Sequence, residues 1–335
     1  MNLRGIAIWL TVLYSVCLGG TPVSMGDTYA LLVNGGYGDG NAYTFSVELA
    51  AMRATLAGHG VTSVVVDGNG PTNALGPYGD DNLPILWGTF GDHGADAQMF
   101  RAKWSPYQGW CYLAMYGVSP DGYGVDYAAT PNGLYLAVRE LQGVMTGQDD
   151  LIVYLIDHGG QATWFGTDTY EFGLWDQSTV DAIRLMDWLD RIPYDRRAVI
   201  VASCHASAIA PVAAKPGSRT VLLAQTRADE LGWVLVPTVY ERDGEKWWDE
   251  RRVNWASYLE EALSLGGMSW SEVFDYAYER DLFGPVQGGV EGDVEHPQLY
   301  DPDGLAETWY LPEPAAACVL AAGALLLILR SRRRG

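Results

Sequence analysis

The chain has 335 residues, 48% of them apolar, and a formal net charge of −20. That apolar share is ample for a packed core and excludes a disordered chain. The acidic balance excludes a nucleic-acid-binding surface, because such a body repels phosphates, and it suits an exported soluble domain.

The first 26 residues read as a signal peptide. Arg4 supplies the positive start, Ile6 to Leu18 an apolar run too short for an anchor, and Ser24-Met25-Gly26 a small-residue cleavage context. Tyr29 to Val33 is an apolar strand ending in Asn34-Gly35-Gly36, followed by a Gly-rich loop to Asn41. A helix from about Thr44 to Ala57 follows, with Val47, Ala50, Ala51, Ala54 and Leu56 on its apolar face, and Gly58-His59-Gly60 stops it. Val61 to Val66 makes a second strand, so the chain opens on a strand–helix–strand unit with a parallel, right-handed crossover.

From Asp67 to Thr130 no period is sustained, and Gly, Pro, Asp and aromatics including Trp87, Trp104 and Trp110 alternate. This stretch, about 68–130, is too long for an ordinary loop and reads as an irregular aromatic-rich insertion with a few short elements. Its aromatics serve either a sugar- or peptide-binding surface or simple packing. Thr130-Pro131 opens a helix to about Met145 by cap and first-turn proline. Leu151 to Ile156 is a buried strand running into Asp157-His158-Gly159-Gly160. Ser178-Thr179-Val180-Asp181 has a capping-box pattern that predicts a helix to about Asp190, closed by Pro193. Ala198 to Ala202 is the next strand and runs into Ser203-Cys204-His205, and Arg219 to Ala224 is another. Helices are expected near Asn254–Leu265 and Ser269–Glu279. The alternation predicts an α/β protein with a three-layer α/β/α architecture and a mostly parallel central sheet.

At the other end Leu311-Pro312-Glu313-Pro314 precedes an uncharged, mostly apolar segment, Ala315 to Leu329, and then Arg330, Arg332, Arg333 and Arg334. Physically this is a helix-breaking hinge, a hydrophobic segment slightly short for a full span, and a basic stop that stays cytoplasmic. Pro-Glu-Pro, apolar helix and arginine cluster resemble the PEP-CTERM sorting tail of bacteria. That resemblance implies residence in the cell envelope and recognition by an exosortase-type sorting enzyme, of a kind able to remove the tail or leave it in place. A plain tail anchor would give the same location, with the membrane as partner through the C-terminal tail. The expected organisation is a signal peptide over 1–26, a main domain over 27–311 and a tail over 312–335.

The chemistry sits at two strand ends. His158 and Cys204, 46 residues apart, each lie just past the carboxyl end of an apolar strand, where open α/β sheets form their ligand crevice. Adjacent strands are about 5 Å apart, so an imidazole and a thiol delivered there can act on one acyl group. Cys17 and Cys318 lie in the end segments, leaving Cys111 and Cys204 in the body. A disulfide between those two is the alternative for an exported pair, and it would silence Cys204. Asp80-Asp81, Asp92-His93 and Glu291-Gly292-Asp293 match no defined calcium loop and read as solvated acidic surface. No metal or other cofactor enters the expected chemistry.

Asp157-His158-Gly159 after an apolar strand, with a later strand ending in a cysteine, resembles the legumain-like branch of the caspase-like cysteine peptidases. The Asn34-Gly35-Gly36 turn and the segment from Glu295-His296-Pro297-Gln298 to Gly304 are similar to that family as well. The resemblance implies a caspase-like fold, a peptide or protein substrate, Cys204 as nucleophile and His158 as base and acid. It implies oxyanion donors in the N–H groups of Gly159 and Cys204, and an asparagine orienting the histidine: Asn41, with Asn34 as rival. It implies a thioester acyl-enzyme, which an amine can also intercept to give transpeptidation. Three departures stand out. Ala202 replaces the family's glutamate two residues before the cysteine, Tyr43-Thr44 replaces Arg-His, and Ala206-Ser207 follows His205 where relatives carry Ser-Gly. Asparaginyl specificity therefore does not carry over, and a non-catalytic caspase-like envelope protein binding peptide or glycan is the rival reading.

Overall fold

The computed structural model describes residues 26–35, 42–68, 88–89, 97–105, 109–116, 124–164, 167–174, 176–232, 238–242, 245–249, 255–287 and 294–311. In chain order the elements are β1 (Thr28–Asn34), α1 (Ala42–Gly58), β2 (Thr62–Asp67), β3 (Gly88–Thr89), β4 (Ala97–Ser105), β5 (Gly109–Tyr116), α2 (Pro131–Val144), β6 (Asp150–Ile156), β7 (Gly159–Trp164), β8 (Thr167–Gly173) and β9 (Thr179–Asp181). Then come α3 (Ala182–Leu189), β10 (Arg196–Ala202), a 3-10 turn (Ala206–Ile209) running into α4 (Ala210–Ala213), β11 (Thr220–Ala224), β12 (Thr238–Arg242), β13 (Glu245–Asp249), α5 (Trp255–Leu265), α6 (Trp270–Arg280) and β14 (Gln298–Tyr300).

The central sheet has the order β14-β11-β10-β6-β1-β2. All its pairings are parallel except that of β14 with β11. Its inner strands are apolar without interruption because both faces are covered. On one face Ala30, Leu32, Ile152, Tyr154, Ile156, Ala198 and Ile200 pack with residues of α1, α5 and α6. On the other, Leu31, Val33, Leu151, Val153, Leu155, Val199 and Val201 pack with α2, α3 and the turns at 206–213. The fold is therefore three-layer α/β/α around a mostly parallel sheet.

One expectation changes. The helix after Ser178 begins later, at Ala182, and residues 179–181 are a strand paired with β8. Residues 179–181 pair with β8 and are thereby kept out of the helix, the Ser178 hydroxyl donates to the Asp176 carboxylate, and Asp181 accepts the Arg184 N–H at 2.8 Å and becomes the cap. The insertion at 68–130 carries strands β3, β4 and β5, which join β12 and β13, from after β11, in a five-stranded sheet of order β12-β13-β5-β4-β3. The expected signal peptide up to residue 25, Asn41, Asp80-Asp81, Trp87, Asp92-His93, Glu291 to Asp293 and the expected tail from 312 lie outside the described residues, as do the side chains of Trp104 and Trp110.

Candidate active site

Strand register brings His158 and Cys204 to one place. β6 and β10 pair from Asp150↔Arg196 to Ile156↔Ala202, a constant offset of 46 residues. His158 and Cys204 share that offset, each two residues beyond the last pair, so both leave the sheet at one level. A charge pair fixes the register at the far end, where the Arg196 guanidinium donates to both Asp150 carboxylate oxygens at 3.0 and 2.6 Å. Two parallel N–H···O bonds set an alignment that one point charge would not.

Cys204 is a half-buried free thiol, so it forms no disulfide with Cys111. The Gly232 N–H donates to its sulfur at 3.3 Å, and the N–H groups of Gly159 and of Cys204 itself also act on it. Burial pushes the thiol pKa above its ordinary 9.0, these donors work against that, and the negative charge of Glu295 adds to the rise. At neutral pH the group is a thiol whose proton must leave as it attacks. The Gly159 and Cys204 N–H groups that act on the sulfur are the ones the family resemblance implies as oxyanion donors.

The turn carrying Cys204 is held from several sides. The Ser203 carbonyl accepts from the Thr226 hydroxyl at 3.1 Å, and that hydroxyl accepts from the Ala206 N–H at 2.9 Å. The Ser203 hydroxyl pairs with Tyr170 at 2.8 Å in full burial. His205 sits at φ 55° and does not cap the following turn with its side chain. Its ring bonds the Ala228 carbonyl instead, at 2.9 Å, and its N–H donates to the Glu230 carbonyl at 2.8 Å. Gly159 also acquires a reason the sequence did not give. A Cβ there would collide with the Cys204 carbonyl oxygen, so glycine is what lets the histidine and cysteine turns touch.

His158 is half-buried behind the buried Asp157. Its ring meets Phe45 of α1 edge-on, with centroids 5.7 Å apart and planes at 79°. The segment after β1 thus does reach the histidine, through Phe45. Asn34, the rival for the orienting asparagine, is fully buried and donates to Asp67 at 2.9 Å across β1 and β2. Sequence reasoning missed Phe45, Gly232, Thr226 and Tyr170, because each meets the site only through tertiary packing.

The late Glu295–Gly304 segment closes the sheet beside the site. Gln225, just past β11, donates from Nε2 to both Glu295 oxygens at 3.2 and 3.1 Å. Asp281, at the end of α6, lies against Glu295, and burial raises its pKa. His296 Nδ1 and N–H bind the Glu230 carboxylate at 2.6 and 3.1 Å. Beside His158 a cleft of about 210 Å³ is lined by Gly159, Gly160, Glu171, Gly173 and Thr179. Among the described residues no three His, Cys, Asp or Glu side chains converge to hold a metal ion.

Comparison with known proteins returns no family model and no curated protein that matches the chain. Among solved structures it is similar to the protein GSU0716 from Geobacter sulfurreducens, a structural-genomics target. That alignment covers 84% of this chain and 97% of that one, at 12% identity and a TM-score of 0.45. A likeness of that size carries no argument about activity.

Proposed function

We propose that the chain is an exported cysteine endopeptidase of the legumain- and caspase-like type, acting on peptide bonds in the bacterial cell envelope. The observation supporting it is the shared register of His158 and Cys204 at the carboxyl ends of paired parallel strands, with Gly159 against the thiol. In this reading Cys204 Sγ attacks the scissile carbonyl and His158 takes the thiol proton. The oxyanion is held by the N–H groups of Gly159 and Cys204. The C–N bond then breaks as the proton passes from His158 to the departing amine, leaving a thioester that water or a second amine cleaves. The signal-peptide-like start and the PEP-CTERM-like tail support a location outside the cytoplasm for this chemistry, with an exosortase-type enzyme acting on the tail.

The test is labelling of Cys204 by iodoacetamide and by acyloxymethyl-ketone peptides, together with cleavage of peptide libraries. His158→Ala is expected to lower cleavage by about 10²- to 10⁴-fold, and Cys204→Ala to abolish it. The rival, a non-catalytic envelope protein binding peptide or glycan, draws on the burial that raises the Cys204 pKa. Labelling that is slow and indifferent to His158→Ala would favour that rival.

A further inference from the structure

We propose that the cleft beside His158 receives the side chain of the residue that follows the cleaved bond, and that Glu171 makes it select arginine or lysine there. This rests on the peptidase reading of His158 and Cys204. The argument begins with the proton. The histidine must deliver it to the departing amine nitrogen, which belongs to the residue after the cleaved bond, so that residue's side chain lies beside the imidazole. The cleft has His158 in its wall, and its other lining residues come from the hairpin and strand that follow His158 in the chain.

Alternation along β8 aims Glu171. Tyr170 and Phe172 are both fully buried in the core, so the residue between them faces the other way. Glu171 is paired with Gly160 across the hairpin, and both line the cleft. A Cβ at Gly160 would meet only the Glu171 Cβ, at 3.9 Å, so glycine there leaves open the space a substrate side chain needs. Glu171 is the charged wall of that space, and no arginine or lysine among the described residues pairs with it. A long side chain with a cationic tip fits: the stem lies over glycine backbone and the tip meets the carboxylate.

The experiment digests a random peptide library with the purified protein and reads the new amino termini by mass spectrometry. Alkylation of Cys204 by iodoacetamide, which has no leaving-group residue to place, is followed in parallel. The wild-type protein is expected to enrich Lys and Arg over Ala at the new amino terminus by about fivefold. Glu171→Gln should flatten that preference and Glu171→Lys should reverse it toward acidic residues. Gly160→Val, which fills the cleft, should depress products beginning with Lys or Arg and spare those beginning with Gly or Ala. A wild-type profile without the basic preference, or one unmoved by Glu171→Gln, overturns the subsite alone. Joint loss of alkylation and cleavage in both Glu171 variants would mark a structural role and overturn it too. Absence of any Cys204-dependent cleavage overturns the peptidase reading, and the subsite with it.

Discussion

At the residue scale, burial chiefly raises the Cys204 pKa, and Gly159 and Glu295 modulate how the thiol behaves. Gly159 has no Cβ because the Cys204 carbonyl occupies that space. Gly159→Ala should separate the two turns, destabilise the fold by about 1–3 kcal/mol in chemical denaturation, and remove Cys204-dependent activity. Glu295 acts through charge. It is fully buried, and its charge disfavours the thiolate. Alkylation of Cys204 should keep accelerating above pH 9.0, the ordinary thiol value, and Glu295→Gln should move the profile to lower pH. The same raised pKa gives stability that is present below the unfolded thiol's pKa and is lost as pH rises through the folded value. His158, Gly159 and Cys204 were legible because each follows an apolar strand. Phe45 was not, and Glu295 was legible only within a family-like segment and not as a neighbour of the thiol, since neither carries a local signal linking it to a partner so distant in the chain.

At the element scale, caps explain where the sequence reading holds and where it slips. Thr130 accepts the Gly133 N–H at 3.1 Å with Pro131 behind it, so α2 starts where the cap and proline put it. Ser269 and Glu272 form a reciprocal capping box on α6. For α3 two acceptors competed, and pairing of residues 179–181 with β8 moved the start to Asp181. Asp181→Ala should therefore lower stability by about 1 kcal/mol, whereas Ser178→Ala should stay within about 0.5 kcal/mol. Thermal unfolding of both variants separates the two caps.

At the scale of the whole molecule, two distant segments build one sheet. β5 pairs with β4 of the same insertion on one side and, in parallel, with β13 on the other. Replacing residues 238–249 by a Gly-Ser linker should leave the amides of β5 that face β13 without partners. Hydrogen exchange across Gly109–Tyr116 should then speed up while β6 and β10, enclosed in the central sheet, stay protected.

The central layer was determined by sequence alone, because strands buried on both faces must be apolar throughout and helices between them must carry a periodic stripe and a cap. The same local rules put a histidine and a cysteine at strand ends. Only the tertiary structure decided that these ends are register partners, that Cys204 is a free, backbone-clamped thiol under the influence of Glu295, and that β3, β4 and β5 share a sheet with β12 and β13. Those outcomes depend on strand pairing and packing between residues far apart in the chain, which no local pattern encodes.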